Sequence, residues 1–176
     1  MKDIILASAS GIRLKILNDF GFNDRNDVEF SPQNNFYYLP GTQFTIPTGV
    51  NPPVPVTVPY IEIPAKVSGN NVFSAQPSIH DWFETVKLNY GVDLQHGNQT
   101  HFDPIPDTWL KMTDVLVYWT QKGVDGFRCD MAEMVPVEFW AYAIPKVKAL
   151  NPEVVFIAEI YKKKLFNFLK SFLYIF

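Results

Sequence analysis

The chain has one cysteine, Cys129, in 176 residues, so an internal disulfide is excluded. It has no excess of basic charge. The formal net charge is −3, which leaves no basic patch, and nucleic acid is not expected as a partner. It has no apolar run long enough to span a bilayer, so no membrane partner is expected. The apolar stretch 4–9 is too short for a typical secretory signal and has no cleavage region after it, and the compartment stays open. His80, His96 and His101 show no metal-ligand spacing. What the chain does have is apolar and aromatic side chains, 47% and 15% of its residues. These suit a packed globular core with ring surfaces.

The most informative residues form two short runs. Gly123-Val-Asp-Gly-Phe-Arg-Cys-Asp-Met-Ala-Glu133 reads as a buried strand ending in a carboxylate, Asp130. Val154-Val-Phe-Ile-Ala-Glu159 reads as a second, ending in Glu159. The stretch between them is helical in pattern and long enough for a β-α-β crossover. Neighbouring parallel strands lie about 4.8 Å apart, so carboxylates at their C-terminal ends can face one pocket. Retaining glycosidases use such a pair at roughly 5–5.5 Å, one carboxylate as nucleophile and the other as acid/base. Alternation along a strand puts Arg128 on the same side as Asp130, where its guanidinium would keep Asp130 ionised. Cys129 falls inside the buried-strand pattern and reads as a small core residue rather than a nucleophile.

At these residues the chain resembles the alpha-amylase family, glycoside hydrolase family 13. Gly126-Phe-Arg-Cys-Asp130 is similar to that family's nucleophile strand, and Phe156-Ile-Ala-Glu159 to its acid/base strand. The resemblance runs from about Asp19 to Tyr161. It implies an α/β fold, an incomplete (β/α)8 TIM barrel carrying a loop-rich inserted subdomain. It also implies retaining chemistry on α-glucosidic bonds, with an α-glucan or malto-oligosaccharide as substrate. By the same resemblance Asp130 is the nucleophile and Glu159 the general acid and then base, which must hold a proton. Arg128, Tyr90 and His101 are expected at the substrate. No cofactor is expected. Calcium occurs in the family, but Lys87 stands where relatives often carry an aspartate that helps bind it, and an ammonium cannot ligate a cation.

A complete barrel takes about 250 residues, so a piece of a barrel enzyme is expected, inactive as an isolated chain. The early Asp-x-x-x-Asn-His strand of the family is absent from the sequence. So is the later strand ending in His-Asp, whose Asp is the third carboxylate. Four segments are expected. Residues 1–22 form a strand and helix of uncertain origin, 23–104 the inserted subdomain, 105–161 the barrel portion, and 162–176 an atypical tail.

Ile4-Ile-Leu-Ala-Ser-Ala-Ser-Gly-Ile-Arg13, continuing to Phe22, also resembles the start of Maf-type nucleotide pyrophosphatases, with Gly11-Ile12 in place of that family's Pro-Arg. Seven prolines fall between Pro40 and Pro64, which excludes helix and disfavours central strands. Short edge strands are expected at 44–46 and 54–63, with a disordered linker as the alternative. Tyr37, Tyr38, Trp82 and Tyr90 read as packing before sugar platforms. In the barrel portion, Asp107 suits a helix start and Gly123 its end. Pro136 suits the first turn of a second helix, within which Pro145 predicts a kink or two shorter pieces. Glu133 either binds a sugar hydroxyl or is solvated.

Overall fold

The computed structural model describes residues 18–50 and 60–161, together with the backbone of Tyr174–Ile175. The expected strand at 2–6, the serine turn and Arg13, and most of 54–63 and of the tail lie outside the described residues. The chain divides into two compact units, Met1–Pro106 and Asp107–Phe176.

In the first unit, strands are two residues long. β1 (Tyr38–Leu39) pairs antiparallel with β2 (Ala65–Lys66), and β3 (Val92–Asp93) with β4 (Gln99–Thr100). The proline-rich sequence cannot supply long ladders, so side chains take over the backbone's hydrogen-bonding needs. Asp24 accepts from the backbone N–H groups of Asn35 and Phe36, the Asn35 amide and the Tyr38 hydroxyl, at 2.9–3.1 Å. Asn34 and Asn89 are buried. Asn34 exchanges bonds with the Arg25 backbone, and the Asn89 amide donates to the Ser31 carbonyl at 2.8 Å. Around these polar staples, Phe36 and Tyr38 pack with Phe20, Val86 and Leu88. The expected edge strand at 44–46 does not form. Phe44 and Thr45 instead give single bonds to the Glu62 and Ala75 carbonyls, which is loop anchoring rather than a ladder.

In the second unit, α1 (Asp107–Gln121) begins at Asp107, whose carboxylate pairs with Lys111 one turn on at 2.7 Å. It ends where sequence places its stop. Gly123 has φ +84°, and its amide bonds to the Thr120 carbonyl. Trp109 is buried, whereas Trp119, at the far end of the same stripe, is 41% exposed. β5 (Gly126–Cys129) follows, then a 3₁₀ turn (Ala132–Met134), α2 (Val137–Leu150) and β6 (Val155–Ala158). α2 runs through Pro145 as one helix, where two shorter pieces were one of the two expected outcomes. The carbonyl left without its usual donor belongs to Ala141, which is exposed and open to water. Phe139, Trp140, Ala143, Ile144 and Val147 are buried along the helix and hold it in place.

β5 and β6 pair in parallel, with Phe127 opposite Phe156 and Cys129 opposite Ala158. The sheet gains a strand that the sequence did not announce. β7 (Tyr174–Ile175) pairs in parallel with β6, within the stretch expected to be a patternless tail. The described sheet is therefore three parallel strands in the order β5-β6-β7, with β6 in the centre. This is α/β architecture. No helix among the described residues is long and apolar enough to cross a membrane.

Candidate active site

Alternation along the two central strands decides which side chains meet. Phe156 and Ala158 are buried and Cys129 is 8% exposed, while Arg128 and Ile157 point the other way. One residue further along, Asp130 and Glu159 follow Arg128 and Ile157. The ladder extends to them, because the Glu159 amide bonds to the Cys129 carbonyl at 3.0 Å. Gly126 allows this close pairing. A Cβ there would lie 2.5 Å from Val155 Cγ2 and 2.6 Å from the Val155 carbonyl oxygen.

Beyond β5 the chain turns sharply. Met131 has φ 47°, a left-handed conformation that costs a non-glycine residue about 1–2 kcal/mol. The turn is held from two sides. Ala132 N–H donates to the Glu159 carbonyl at 3.1 Å, and the Trp140 indole donates to the Ala132 carbonyl at 3.3 Å. The loops after the two strands are thus tied to each other as well as to the sheet.

Four side chains converge at this end of the sheet. Arg128 pairs with one oxygen of Glu159, and Tyr161 donates its hydroxyl to the other. Arg128 lies 3.8 Å from Asp130. The neighbouring Glu159 carboxyl pushes the Asp130 pKa above the usual carboxylate range, against the pull of Arg128. Donation from Tyr161 first, then the interaction with Asp130, with Arg128 adding its charge, holds Glu159 below its usual value. The guanidinium and the phenol both reach Glu159. The site is open to water. The side chains of Arg128 and Asp130 are 60% and 70% exposed, and that of Glu159 is 18% exposed.

Tyr161 is the residue that sequence reasoning missed. Glu133 Oε1 accepts the Tyr161 backbone N–H at 3.2 Å, and Oε2 is buried without a partner. Glu133 thus ties the two loops together, rather than being simply solvated. The signal for Tyr161 was its two-residue spacing from Glu159, which places both on one side of an extended segment.

Cys129 is a core residue, as expected. Burial pushes its thiol up to about 12, far from a nucleophile's range. Tyr90 and His101 belong to the first unit. Tyr90, expected at the substrate, is 7% exposed and has no open ring face. The His101 ring lies 5.6 Å from that of Phe30, and its amide bonds to the Gly91 carbonyl at 2.7 Å. Tyr37 and Tyr38 are buried packing, and of the four candidate platforms only Trp82 is exposed. Among the described residues, no three His, Cys, Asp or Glu side chains are grouped as a metal ion requires.

Two carboxyls thus stand at the C-terminal ends of adjacent parallel strands, with an arginine beside both. Over 59 residues, 34% of the chain, it is 36% identical to the alpha-1,4-glucan:maltose-1-phosphate maltosyltransferase of Cereibacter sphaeroides. Over 56 residues, 32% of the chain, it is 36% identical to neopullulanase 2 of Thermoactinomyces vulgaris. Each match spans 10% of the relative's own length, so the chain corresponds to about a tenth of the curated proteins it matches. The crystal structure of an alpha-amylase from Lactobacillus plantarum matches 60% of this chain and 21% of its own at 30% identity, with a TM-score of 0.39. No family model matches the sequence. Over these segments the chain is similar to a glucan maltosyltransferase, a neopullulanase and an alpha-amylase. The N-terminal resemblance to Maf-type pyrophosphatases is not shown by these matches.

Proposed function

We propose that this chain is part of a retaining enzyme acting on α-glucosidic bonds of starch-like glucans, with Asp130 as nucleophile and Glu159 as acid/base. The observation that carries the reading is the placement of these two carboxyls at the C-terminal ends of adjacent parallel strands, with the Arg128 guanidinium beside both. In the proposed reaction, Asp130 attacks the anomeric carbon while Glu159 protonates the departing oxygen. Glu159 then deprotonates the water or sugar hydroxyl that releases the glycosyl group from Asp130. The relatives' names include a glucan maltosyltransferase and a neopullulanase, and an α-glucan or malto-oligosaccharide substrate fits both. The barrel belongs to the same proposal, with β5 and β6 as two of its strands and 23–104 as the inserted subdomain.

The isolated chain is expected to be inactive, for a physical reason. The Arg128 and Asp130 side chains are 60% and 70% exposed, so charges developing in a transition state would be screened by water rather than stabilised. Thermal unfolding followed by circular dichroism, with and without maltotetraose, tests the reading. A cooperative transition raised by the sugar, with the rise lost in Glu159→Gln, supports a glucan site. A cooperative transition that the sugar leaves unmoved argues against one. Turnover of 4-nitrophenyl α-maltoside, lost in Asp130→Asn, would overturn the expected inactivity.

A further inference from the structure

The first unit holds a cavity of about 240 Å³, walled by Asn18, Asp24, Asn26, Tyr38 and Lys66, with Phe22 completing the lining. Its wall is fixed by the packing around it. β1 and β2 set Tyr38 opposite Lys66, and the Tyr38 hydroxyl donates to Asp24 at 2.9 Å. The Lys66 side chain is 6% exposed and lies 4.0 Å from Glu62. Its ammonium stands 5.5 Å from the Tyr38 ring centre and 5.7 Å from that of Phe36. A ligand would therefore meet a wall already formed, and little ordering would be needed to bind it.

The lining selects a neutral, polar ligand. An anion would meet Asp24 on the wall and Glu62 next to Lys66, and a cation would meet Lys66. Like charges brought together in a site cost binding energy. Burial holds the Tyr38 phenol far above its ordinary pKa, so it adds no charge at neutral pH. Asp24 already accepts from four donors, so contact with a ligand falls to its neighbours. Asn18 and Asn26 are exposed, and each amide both donates and accepts, whereas the Lys66 ammonium donates. A sugar hydroxyl is itself donor and acceptor, so a sugar ring is neutral and matches this mixed wall. Phe22, 83% exposed, offers an open aromatic face for the C–H side of such a ring. The volume falls below the roughly 300–1,000 Å³ of sites for drug-sized molecules, which suits one ring rather than a chain.

We propose that this cavity holds a single glucosyl ring, with Asn18, Asn26 and Lys66 on its hydroxyls and Phe22 against its apolar face. The inference rests on reading the chain as acting on glucans, and it adds a second sugar contact to that reading. The contact is built in the first unit, from none of the residues at the Asp130–Glu159 end of the sheet. Its wall carries one carboxylate, Asp24, engaged by the fold. The cavity therefore binds sugar and does not cleave it, since cleavage through a carboxylate pair needs two such groups.

The test is an amide ¹H–¹⁵N NMR titration of the full chain with maltose, in the parent and in Phe22→Ala and Asn26→Ala. A parallel titration of the parent uses inorganic phosphate. Both substituted side chains are exposed, so the variants keep the fold. Maltose is expected to shift the amides of residues 21–26 and of Lys66. Each variant is expected to raise the dissociation constant read from those shifts by roughly two- to tenfold. No shift at those amides in the folded parent overturns the proposal, and so does an affinity that both variants leave unchanged. A response to phosphate without one to maltose overturns the choice of a neutral ligand. Shifts confined to Arg128, Glu159 and Tyr161 overturn the cavity as a sugar site and leave the glucan reading standing. Shifts confined to 21–26 and Lys66 support the cavity and count against a sugar site at the carboxylate pair.

Discussion

Replacing Gly126 with alanine sets two known effects against each other. A glycine-to-alanine change at a compatible backbone stabilises by about 0.4–1 kcal/mol, through the unfolded chain. Gly126 is not in the left-handed region, so backbone conformation does not forbid the change. Space does. The new Cβ would sit 2.5 Å from Val155 Cγ2 and 2.6 Å from the Val155 carbonyl oxygen. The methyl can rotate away, but the oxygen belongs to the neighbouring strand's backbone. It must retreat by about 1 Å to reach ordinary contact. Overpacking of this kind costs about 1–3 kcal/mol, so the clash should win. Amide hydrogen exchange at Val155 and Glu159 reads it directly, because their N–H groups bond across to the Asp125 and Cys129 carbonyls at 3.0 Å. At 1.36 kcal/mol per factor of ten, the clash less the gain through the unfolded chain, up to about 2.6 kcal/mol, should speed exchange by up to about 80-fold. Trimming the side chain as well, in Gly126→Ala with Val155→Ala, should leave most of the increase, because the carbonyl contact remains. Slower or unchanged exchange in Gly126→Ala would refute the reasoning. A shift of this size also exceeds the roughly 0.5 Å tolerance of a working site, so the Arg128–Glu159 pair across the two strands should weaken with the ladder.

Three further predictions follow from buried and paired groups. Phe156 is 1% exposed on the central strand, with its ring 5.3 Å from that of Phe127. Phe156→Ala should cost about 3–5 kcal/mol, visible as loss of the second unit's helical signal at a lower denaturant concentration. Between the ordinary and raised pKa values of Asp130, the folded state binds more protons than the unfolded one. The contribution of Asp130 is therefore full below about pH 3.9 and lost as pH rises through its folded pKa. Glu159 works the other way. Its contribution is present above about pH 4.3 and lost as pH falls through its depressed value. Urea titrations of Asp130→Asn and Glu159→Gln from pH 3 to 7 should depart from the parent in these opposite senses. The Cys129 thiol, buried and pushed up to about 12, should resist 5,5′-dithiobis(2-nitrobenzoate) at pH 8 until the chain is unfolded. Rapid labelling of the native chain would place it outside the core.

The second unit was legible in the sequence wherever local rules suffice. Gly123 ends α1 because a left-handed residue is needed there and glycine supplies it without strain. The strands β5 and β6 were legible from apolar runs ending in carboxylates. Pro145 misled in part, because its cost depends on whether the orphaned carbonyl faces water, a fact that no local pattern states. The first unit was legible mainly as the absence of regular structure. Its order comes from Asp24, Asn34 and Asn89 binding backbone groups far along the chain, and such partners have no periodicity to read. Tyr90 failed as a sugar contact for a related reason, since an aromatic residue's type does not reveal whether its face is covered.

The sequence by itself determined the identity of the pair, Asp130 and Glu159, and the parity that puts Arg128 and Tyr161 on their side, because alternation along an extended chain is a covalent fact. Tertiary structure decided which carboxylate Arg128 pairs with. Arg128 is two residues from Asp130 in the chain, yet its stronger partner is Glu159 on the next strand. A long flexible guanidinium chooses among carboxylates by distance in space, and that distance exists only once the strands have paired.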